Sequence, residues 1–314
     1  MSEIRRVGGS MKLPRGIISV VQTPFAQDGG IDFLSLEKLI DDAVTARVDG
    51  LLVPVVASEV AFLTECERDE ILKTATRVTA DRVPVIVGAS ADDPDLCRRH
   101  CRMAKELSAS ACLIAVPASC YANPASTVDF FRQATRDNEL PLIIQDLEFN
   151  GPGLSQSSMT ALAQSIPRLA GWKIETAPAG PKYTAVRNAF GPDCHISGGW
   201  AVPQFIEALD RGVDAMIPES SMIRVYHAID RLYLSGQRDQ AVRLFRSLLP
   251  ILAYTNQELA TSIAFFKRLL VRKGVFSNET LRIPGFSWDS YNMRIADELI
   301  ELYLQLESAL PMSF

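Results

Sequence analysis

Lys173 lies in a setting that suits nucleophilic chemistry. It belongs to the apolar run Leu169–Glu175, whereas the other lysines fall in segments that are typical of helices, loops or an N-terminal arm. Side chains alternate along a β-strand, so Trp172 and Ile174 point to one face and Lys173 to the other. If the two apolar side chains face covering helices, Lys173 is buried, and burial disfavours the charged ammonium. Because the neutral amine is the form that attacks a ketone, this run indicates a Schiff-base lysine.

Acidic residues near the ends of the predicted strands give this lysine a second interpretation. An ion pair between Lys173 and Glu175, Glu219 or Asp146 would also account for its position. If Lys173 is catalytic, a proton has to be moved, and Asp146, Glu59, Glu175 or an ordered water are the candidates. Each of these acids could equally cap a loop or form a salt bridge, so both interpretations stay open.

Small polar groups after three other predicted strands could bind a substrate carboxylate. Thr23 follows the first strand, Ala57 and Ser58 follow the second, and Ser197 and Gly198 end the seventh. Hydroxyl groups and backbone N–H groups are donors that a carboxylate accepts. Serine is common at strand ends, so its presence there is weak support for binding. Only their position makes these residues candidates for binding a substrate carboxylate.

Eight short apolar runs, which alternate with amphipathic segments, would position these residues. Nearly continuous apolar runs are typical of parallel strands that are covered on both faces. The predicted strands are Gly16–Val21, Gly50–Val56, Val83–Gly88, Ala111–Val116, Leu140–Gln145, Leu169–Glu175, Cys194–Ser197 and Ala215–Pro218. Eight strand–helix units predict an α/β fold, the (β/α)8 TIM barrel, in which catalytic groups lie at the C-terminal ends of the strands. An open doubly wound sheet is the alternative, but no glycine-rich phosphate turn follows the first strand.

Start signals delimit several of the predicted helices. Asp32 is suited to cap the helix after the first strand. Thr64 and Glu67 have the spacing of a capping box at the start of the next helix. Pro124 and Pro203 lie where prolines of a first helical turn are tolerated.

The chain becomes almost entirely helical after Ser221. The main segments are Arg238–Tyr254, Gln257–Lys273 and Tyr291–Leu310, and Gly274 is a typical helix stop. This is more helix than the eighth unit of a barrel requires. The expected organisation is therefore an N-terminal arm at residues 1–13, a barrel at residues 14–235 and a C-terminal helical region at residues 236–314.

Several segments together resemble the dihydrodipicolinate synthase / N-acetylneuraminate lyase family over nearly the full length of the chain. The resemblance rests on Gly16–Phe25, Asp28–Asp32, Glu59, Leu63–Arg68, Val83–Gly88, Gly171–Thr176, Ser197–Gly199 and Leu281–Gly285. The family is a (β/α)8 barrel with a C-terminal helical part and is usually tetrameric. The resemblance implies that Lys173 condenses with the keto group of pyruvate or a related 2-keto acid. The resulting iminium would be an electron sink for C–C cleavage, C–C formation or dehydration.

The chain departs from the family pattern at four places. The segment Val55–Glu59 reads Val-Val-Ala-Ser-Glu where the family usually has Gly-Thr-Thr-Gly-Glu, so both threonine hydroxyls are missing. Gln145 occupies the position of a tyrosine that shuttles protons, and a glutamine cannot ionise, although it can orient a water or donate to a carboxylate. A second family tyrosine has Tyr121 as its nearest counterpart. The arginine that would meet a dicarboxylate partner has no counterpart near Asn150.

Three functional hypotheses follow. The first is a Schiff-base lyase or aldolase that acts on pyruvate or a 2-keto-3-deoxy sugar acid, with Lys173 as the amine and Gln145, Asp146 and Glu59 as further catalytic candidates. The second is 4-hydroxy-tetrahydrodipicolinate synthase, with Tyr121 in place of the missing tyrosine. The third is a non-catalytic homologue that binds a keto acid or serves as a scaffold after its proton relay has eroded.

Composition and motifs exclude several other classes. A net charge of -5 at pH 7 without a basic run argues against nucleic acid as a partner. No apolar stretch has the length of a membrane span, and the first residues do not read as a signal peptide, so the expected compartment is the cytoplasm. The expected partners are a small 2-keto acid and further copies of the chain, in a homo-oligomer that is a tetramer or a dimer.

Cofactor and metal chemistry are not expected either. The six cysteines form no CxxC pair and no disulfide framework. Cys97 and Cys101 would share a helix face, but His100 points elsewhere, so buried structural cysteines are the simpler interpretation. The sequence has no H-E-x-x-H motif and no G-x-S-x-G elbow near its histidines.

Overall fold

Eight strands pair in chain order and close a parallel barrel, which confirms the predicted fold class. The structure is a computed structural model and describes Val7, residues 11–200 and residues 202–311. Most of the predicted N-terminal arm, residues 1–13, therefore lies outside the described residues. The strands are β1 Gly16–Val20, β2 Gly50–Val53, β3 Val85–Gly88, β4 Ala111–Ala115, β5 Leu142–Glu148, β6 Leu169–Thr176, β7 His195–Gly198 and β8 Ala215–Met216.

Two strand ends differ from the prediction by three residues, and each difference has an identifiable reason. β2 ends at Val53 rather than Val56, because Pro54 has no N–H to continue the ladder. β5 continues to Glu148 rather than ending at Gln145, because it stays paired with β6 as far as Thr176. The apolar pattern locates each strand correctly, but the end depends on pairing partners that are distant in sequence.

Eleven α-helices are described, and most of the helix starts that the sequence predicted are confirmed. They are α1 Phe33–Thr45, α2 Glu65–Thr79, α3 Pro94–Glu106, α4 Pro124–Ala134, α5 Gln156–Ser165, α6 Ala179–Phe190, α7 Phe205–Asp210, α8 Ile223–Leu234, α9 Arg238–Thr255, α10 Leu259–Arg272 and α11 Ser290–Ser308. Asp32 caps α1, and Thr64 with Glu67 forms the capping box of α2. Pro124 opens α4, but the prediction for Pro203 is wrong, because α7 begins later, after its N-cap Gln204.

The chain forms two compact units, one of Met1–Arg15 with Pro84–Met216 and one of Gly16–Val83 with Ile217–Phe314. The first contains β3–β8 and α3–α7, and the second contains β1, β2, α1, α2 and α8–α11. The limits of the two units differ from the predicted boundaries after residues 13 and 235. These boundaries remain predictions.

In the first unit, side-chain alternation along β6 follows the expected order. Trp172 is fully buried and packs against Phe190 at the end of α6, with ring centroids 5.9 Å apart. Trp172 therefore faces the covering helices. Lys173, the next residue in the strand, points to the opposite face.

In the second unit, the C-terminal helices pack on one another and on the first strand. α8 contacts both β1 and α9, and α9 contacts α10 and α11. The buried apolar residues of these helices include Leu248, Ile251, Leu269 and Ile300. Within the described part of the chain, none of the helices combines the length and the apolar character that crossing a membrane requires.

Candidate active site

Lys173 lies in the middle of a row of side chains across three neighbouring strands. The parallel register sets Gln145 of β5 opposite Lys173 of β6, and Lys173 opposite Ser197 of β7. Ala115 of β4 and Ala215 of β8 continue the row on either side. All three central residues are buried, with Lys173 only 4% exposed. The sequence candidates Gln145, Lys173 and Ser197 therefore come together, and small side chains flank them.

The ammonium of Lys173 is paired with a carboxylate. Its Nζ lies 2.6 Å from Oε1 of Glu175, and each of the two side chains is 5% exposed. Oε2 of Glu175 accepts a hydrogen bond from Nε2 of Gln145. The ion pair with Glu175 was the competing interpretation of this lysine, and it is present. Within such a buried pair, transfer of one proton from nitrogen to oxygen removes both charges and produces the neutral amine.

The amide of Gln145 has an unused acceptor beside this pair. Its Nε2 donates to Glu175, but its Oε1 is buried and finds no hydrogen-bond partner among the described residues. Leaving a buried acceptor unpaired costs about 1–3 kcal/mol. A hydroxyl group of a bound molecule could donate to this oxygen, which a carboxylate group could not do.

Gly199, which follows the substrate-binding candidate Gly198, lies next to Lys173. A Cβ at Gly199 would overlap the carboxylate of Glu175 and lie 2.8 Å from Cε of Lys173. A Cβ at Gly198 would instead lie 2.6 Å from the hydroxyl of Tyr183 in α6. Gly198 thus gives room to the covering helix, and Gly199 gives room to the ion pair. The sequence shows two adjacent glycines, and only the strand's orientation tells them apart.

The side chains of Asp146 and Tyr121 form contacts that stabilise the end of β5. Both carboxylate oxygens of Asp146 accept from the N–H of Leu154, at 3.0 and 3.2 Å, and Lys182 forms an ion pair with the same carboxylate. The hydroxyl of Tyr121 accepts from the N–H of Leu147 at 2.8 Å. Burial, followed by the nearby charge of Asp146, raises the pKa of Tyr121 well above its usual value. These contacts favour a structural role for both residues over the proton transfer that the sequence suggested.

The loop after β2 uses its own hydroxyl groups to hold its shape. Thr23 donates to the carbonyl of Ser58 at 2.8 Å. Ser58 donates to the carbonyl of Val21 at 2.5 Å and accepts from the N–H of Val55 at 3.1 Å. Ala57 lies between these contacts in the 3₁₀ turn Val56–Ser58 and is partly exposed. The two hydroxyls were expected to bind substrate, but their contacts fasten the loop.

Glu59, at the end of this turn, is held by a lysine that the sequence analysis missed. Glu59 has φ 56° and ψ 35°, a left-handed conformation that costs a non-glycine residue on the order of 1–3 kcal/mol. Its Oε1 is paired with Nζ of Lys267 in α10, and its Oε2 accepts from the N–H of Arg282 at 2.8 Å. The carboxylate is thus fully engaged, which disfavours Glu59 as a proton shuttle. The available signal was a single lysine within the apolar segment Ile263–Leu270.

Burial changes the acid–base behaviour of Lys267. The side chain is 1% exposed, and its Nζ also donates to the carbonyl of Thr280 at 2.9 Å. Burial lowers the pKa of Lys267 to about 8, although the charge of Glu59 acts in the opposite direction. Lys267 therefore carries its charge at neutral pH and loses it at moderately alkaline pH.

Comparison with known proteins gives a consistent picture. Residues 13–299 match the model of the dihydrodipicolinate synthetase family. The chain is 28% identical over 276 residues to L-2-keto-3-deoxyarabonate dehydratase of Azospirillum brasilense, covering 86% of this chain and 88% of that protein. It is 25% identical over 299 residues to 4-hydroxy-tetrahydrodipicolinate synthase of Xanthomonas axonopodis pv. citri, covering 93% and 96%.

A solved structure agrees with the fold. The crystal structure of dihydrodipicolinate synthase from Rhodopseudomonas palustris superposes with a TM-score of 0.85 at 24% identity, over 93% of this chain and 99% of that chain. At this level of identity the agreement concerns the fold alone.

Proposed function

The chain belongs to the dihydrodipicolinate synthetase family, and from this premise we propose that it acts on a 2-keto-3-deoxy sugar acid through a Schiff base at Lys173. It is an enzyme of the lyase type, as its curated relatives are. The relative with 28% identity is a dehydratase of a keto-deoxy sugar acid, which supports this substrate class. Dehydration, or aldol cleavage of the same kind of substrate, is the proposed reaction.

One observation carries the proposal: Lys173 is buried, and a carboxylate that can take its proton lies 2.6 Å away. Gln145 donates to the same carboxylate and fixes its orientation. A buried lysine needs such a neighbour to become a nucleophile without releasing its proton into bulk water. We therefore assign to Glu175 the proton transfer for which Asp146, Glu59, Glu175 and an ordered water were candidates.

The proposed sequence of steps uses Glu175 twice. Glu175 first accepts a proton from the ammonium of Lys173, and the free amine attacks C2 of the keto acid. Glu175 then returns this proton to the C2 oxygen, which leaves as water and gives the iminium. Glu175, again ionised, then removes a proton from C3 to form the enamine, and it returns this proton to the C4 hydroxyl as that group leaves as water. Hydrolysis of the remaining iminium releases the product and restores Lys173.

The free acceptor on Gln145 supports a hydroxylated substrate. Oε1 of Gln145 is buried without a partner among the described residues, next to the carboxylate that performs the chemistry. A substrate hydroxyl that donates to this oxygen would relieve the cost of an unpaired acceptor. A tyrosine at this position would offer a proton instead of an amide oxygen, and that difference favours sugar acids over the aspartate semialdehyde reaction.

The second hypothesis, 4-hydroxy-tetrahydrodipicolinate synthase, depends on Tyr121. The hydroxyl of Tyr121 is engaged with the N–H of Leu147 at 2.8 Å, and its raised pKa makes it a poor proton donor at neutral pH. These contacts argue against this activity, although a relative with that activity is 25% identical over most of the chain.

A substrate assay separates the hypotheses. The purified chain is incubated with 2-keto-3-deoxy pentonates, and the products are identified by mass spectrometry. The proposal expects a product lighter by one water, or pyruvate with an aldehyde, and no product from a K173R variant. Turnover of pyruvate with aspartate semialdehyde, and none of the sugar acids, would select the second hypothesis. Turnover of none of these substrates would favour the binding or scaffold role.

We also propose that the chain forms a homo-oligomer, a dimer or a tetramer, as its resemblance to the family implies. Sedimentation velocity measures this directly. The cytoplasmic location stays a prediction from the sequence.

A further inference from the structure

A cavity of about 620 Å³ lies among the C-terminal helices of the second unit. It is formed by the end of α9, the start of α10 and the segment that leads into α11. Cavities of this size accept small molecules. The part of the chain that forms its wall holds none of the residues to which the Schiff-base chemistry is assigned.

Three aromatic rings stand together in the wall of this cavity. The ring centroid of Trp288 lies 6.2 Å from that of Tyr254 and 6.1 Å from that of Phe286, with interplanar angles of 59° and 66°. Planes that meet at such angles form a wedge, in which one group can lie against two rings. The hydroxyl of Tyr254 donates to the carbonyl of Asn292 at 3.0 Å, which fixes this ring between α9 and α11. The indole N–H of Trp288 is buried, so Trp288 presents the carbon atoms of its ring to the cavity.

The charge that borders the cavity is negative. Of the described residues in its wall, only Glu258 carries a charge. The hydroxyl of Thr261 donates to Oε2 of Glu258 at 3.2 Å, which holds the carboxylate at the start of α10. Asp289, directly after Trp288, adds a second carboxylate where it caps α11. Aromatic rings and carboxylates therefore occur together at this place.

A neighbouring arginine does not oppose a positive ligand. Arg268 lines a smaller cavity of about 170 Å³, which shares Phe286 and Trp288 with the first. Its guanidinium donates to both carboxylate oxygens of Asp297 and to both of Glu279, at 2.8 to 3.0 Å. Two carboxylates thus face one cation, so the charge of Arg268 is neutralised within this group.

We propose that the larger cavity is a binding site for a small quaternary ammonium compound, whose cationic group lies against the rings of Tyr254, Phe286 and Trp288. The face of an aromatic ring attracts a cation, and the indole of a tryptophan attracts it most strongly. The carboxylate of Glu258 adds to this attraction. An anion would be repelled by the ring faces and by the carboxylate alike. The site is separate from the proposed chemistry at Lys173 and does not depend on it.

Calorimetric titration of the wild-type chain with two matched probes tests this proposal. Choline chloride supplies the quaternary ammonium, and 3,3-dimethylbutan-1-ol has the same shape with a carbon atom in place of the charged nitrogen. Both are titrated at constant ionic strength. The wild type is expected to bind choline about tenfold more tightly than the neutral alcohol, because only the cation gains from the ring faces.

Variants locate the binding in this cavity. W288L keeps an apolar side chain but removes the aromatic ring, and it is expected to weaken choline binding by about tenfold. E258Q is expected to weaken it by about two- to fivefold, since the carboxylate is exposed. Y291L and E298Q are the matched controls, because Tyr291 and Glu298 are an exposed aromatic residue and an exposed acid on α11 that do not line the cavity. Both controls are expected to bind choline as the wild type does.

Three results would overturn the proposal. They are no heat of binding with choline in the millimolar range, equal affinity for choline and the neutral alcohol, and wild-type affinity in both W288L and E258Q. Circular dichroism verifies the fold of each variant, and the comparison of the two probes on the wild type decides the question if W288L does not fold. None of these titrations needs turnover, so their outcome is independent of the assay for the proposed function.

Discussion

At the scale of single residues, the site depends on which side chains share a face of a strand. Alternation along β6 was enough to predict that Lys173 faces away from Trp172, and the packing of Trp172 on Phe190 agrees. The sequence could not decide whether Lys173 pairs with Glu175, Asp146 or Glu219, because that choice depends on side-chain reach. It also could not show which of Gly198 and Gly199 lies beside Lys173, since a one-residue offset along a strand reverses the face.

Replacing Glu175 by glutamine tests its proposed role as the proton acceptor of Lys173. E175Q removes the carboxylate but keeps its size, so kcat is expected to fall by about 10²- to 10⁴-fold, as for other lost acid–base groups. E148Q is the matched control, because Glu148 is a partly exposed acid in β5 that accepts from the N–H of Gly153 at 2.6 Å. Steady-state kinetics measures both, with circular dichroism to verify folding. Equal activity of E175Q and E148Q would exclude Glu175 from the chemistry.

At the scale of the elements, local sequence signals predicted where helices begin better than where strands end. Asp32, Thr64 and Pro124 mark helix starts correctly, because capping depends on residues that are neighbours in the chain. The turn Val56–Ser58 and the position of Glu59 were not predictable in this way. They depend on Lys267 and on Arg282, which lie more than two hundred residues further along the chain.

The cap of α4 provides a test at this scale. Oδ1 of Asn123 accepts from the N–H groups of Ala125 and Ser126, at 3.0 and 3.4 Å. N123A leaves these donors without their partner, and the free energy of unfolding is expected to fall by about 1 kcal/mol. Urea unfolding measures the change, and N150A, at an exposed position after β5, is the control. A stability of N123A equal to that of N150A would show that this cap contributes nothing measurable.

At the scale of the whole molecule, the sequence predicted the fold because the eight apolar runs carry most of the information about the barrel. Strands that are apolar along nearly their whole length must be packed against other elements on both faces. When strands and helices alternate along the chain, only a few sheet topologies satisfy this requirement. The division into two compact units was not predicted, because it depends on contacts between Gly16–Val83 and the distant helices after Ile217. The extent of the C-terminal helices was predictable from the helical spacing of their apolar residues. Gly274, which has φ 71°, marked one of the helix ends.

The stability of the chain is expected to depend on pH through Glu219. Burial raises the pKa of Glu219 from 4.5 to about 7, although the N–H groups of Ser221 and Met222 and the charge of Lys273 act in the opposite direction. A carboxyl whose pKa is raised in the folded state stabilises it below the unfolded value, and this contribution is lost as pH rises through the folded value. The loss amounts to at most about 3 kcal/mol between these two pH values.

The variant E219Q isolates this contribution. Its amide cannot ionise, so the difference in unfolding free energy between wild type and E219Q is expected to shift in favour of E219Q as pH rises from 4.5 to 7. Taking the difference removes the contributions of other titrating groups, including His195, whose pKa burial lowers to about 4. Urea unfolding at a series of pH values provides the data. A difference that stays constant with pH would mean that Glu219 does not titrate in this range.

The most direct test of the account is borohydride reduction in the presence of pyruvate, followed by peptide mass mapping. The account predicts one adduct, on the peptide that contains Lys173, with none on the peptides that contain Lys182 or the second buried lysine, Lys267. K173R is predicted to lose this adduct while keeping its fold. An adduct on another lysine, or none with pyruvate or any 2-keto-3-deoxy sugar acid, would contradict the claim that Lys173 forms a Schiff base.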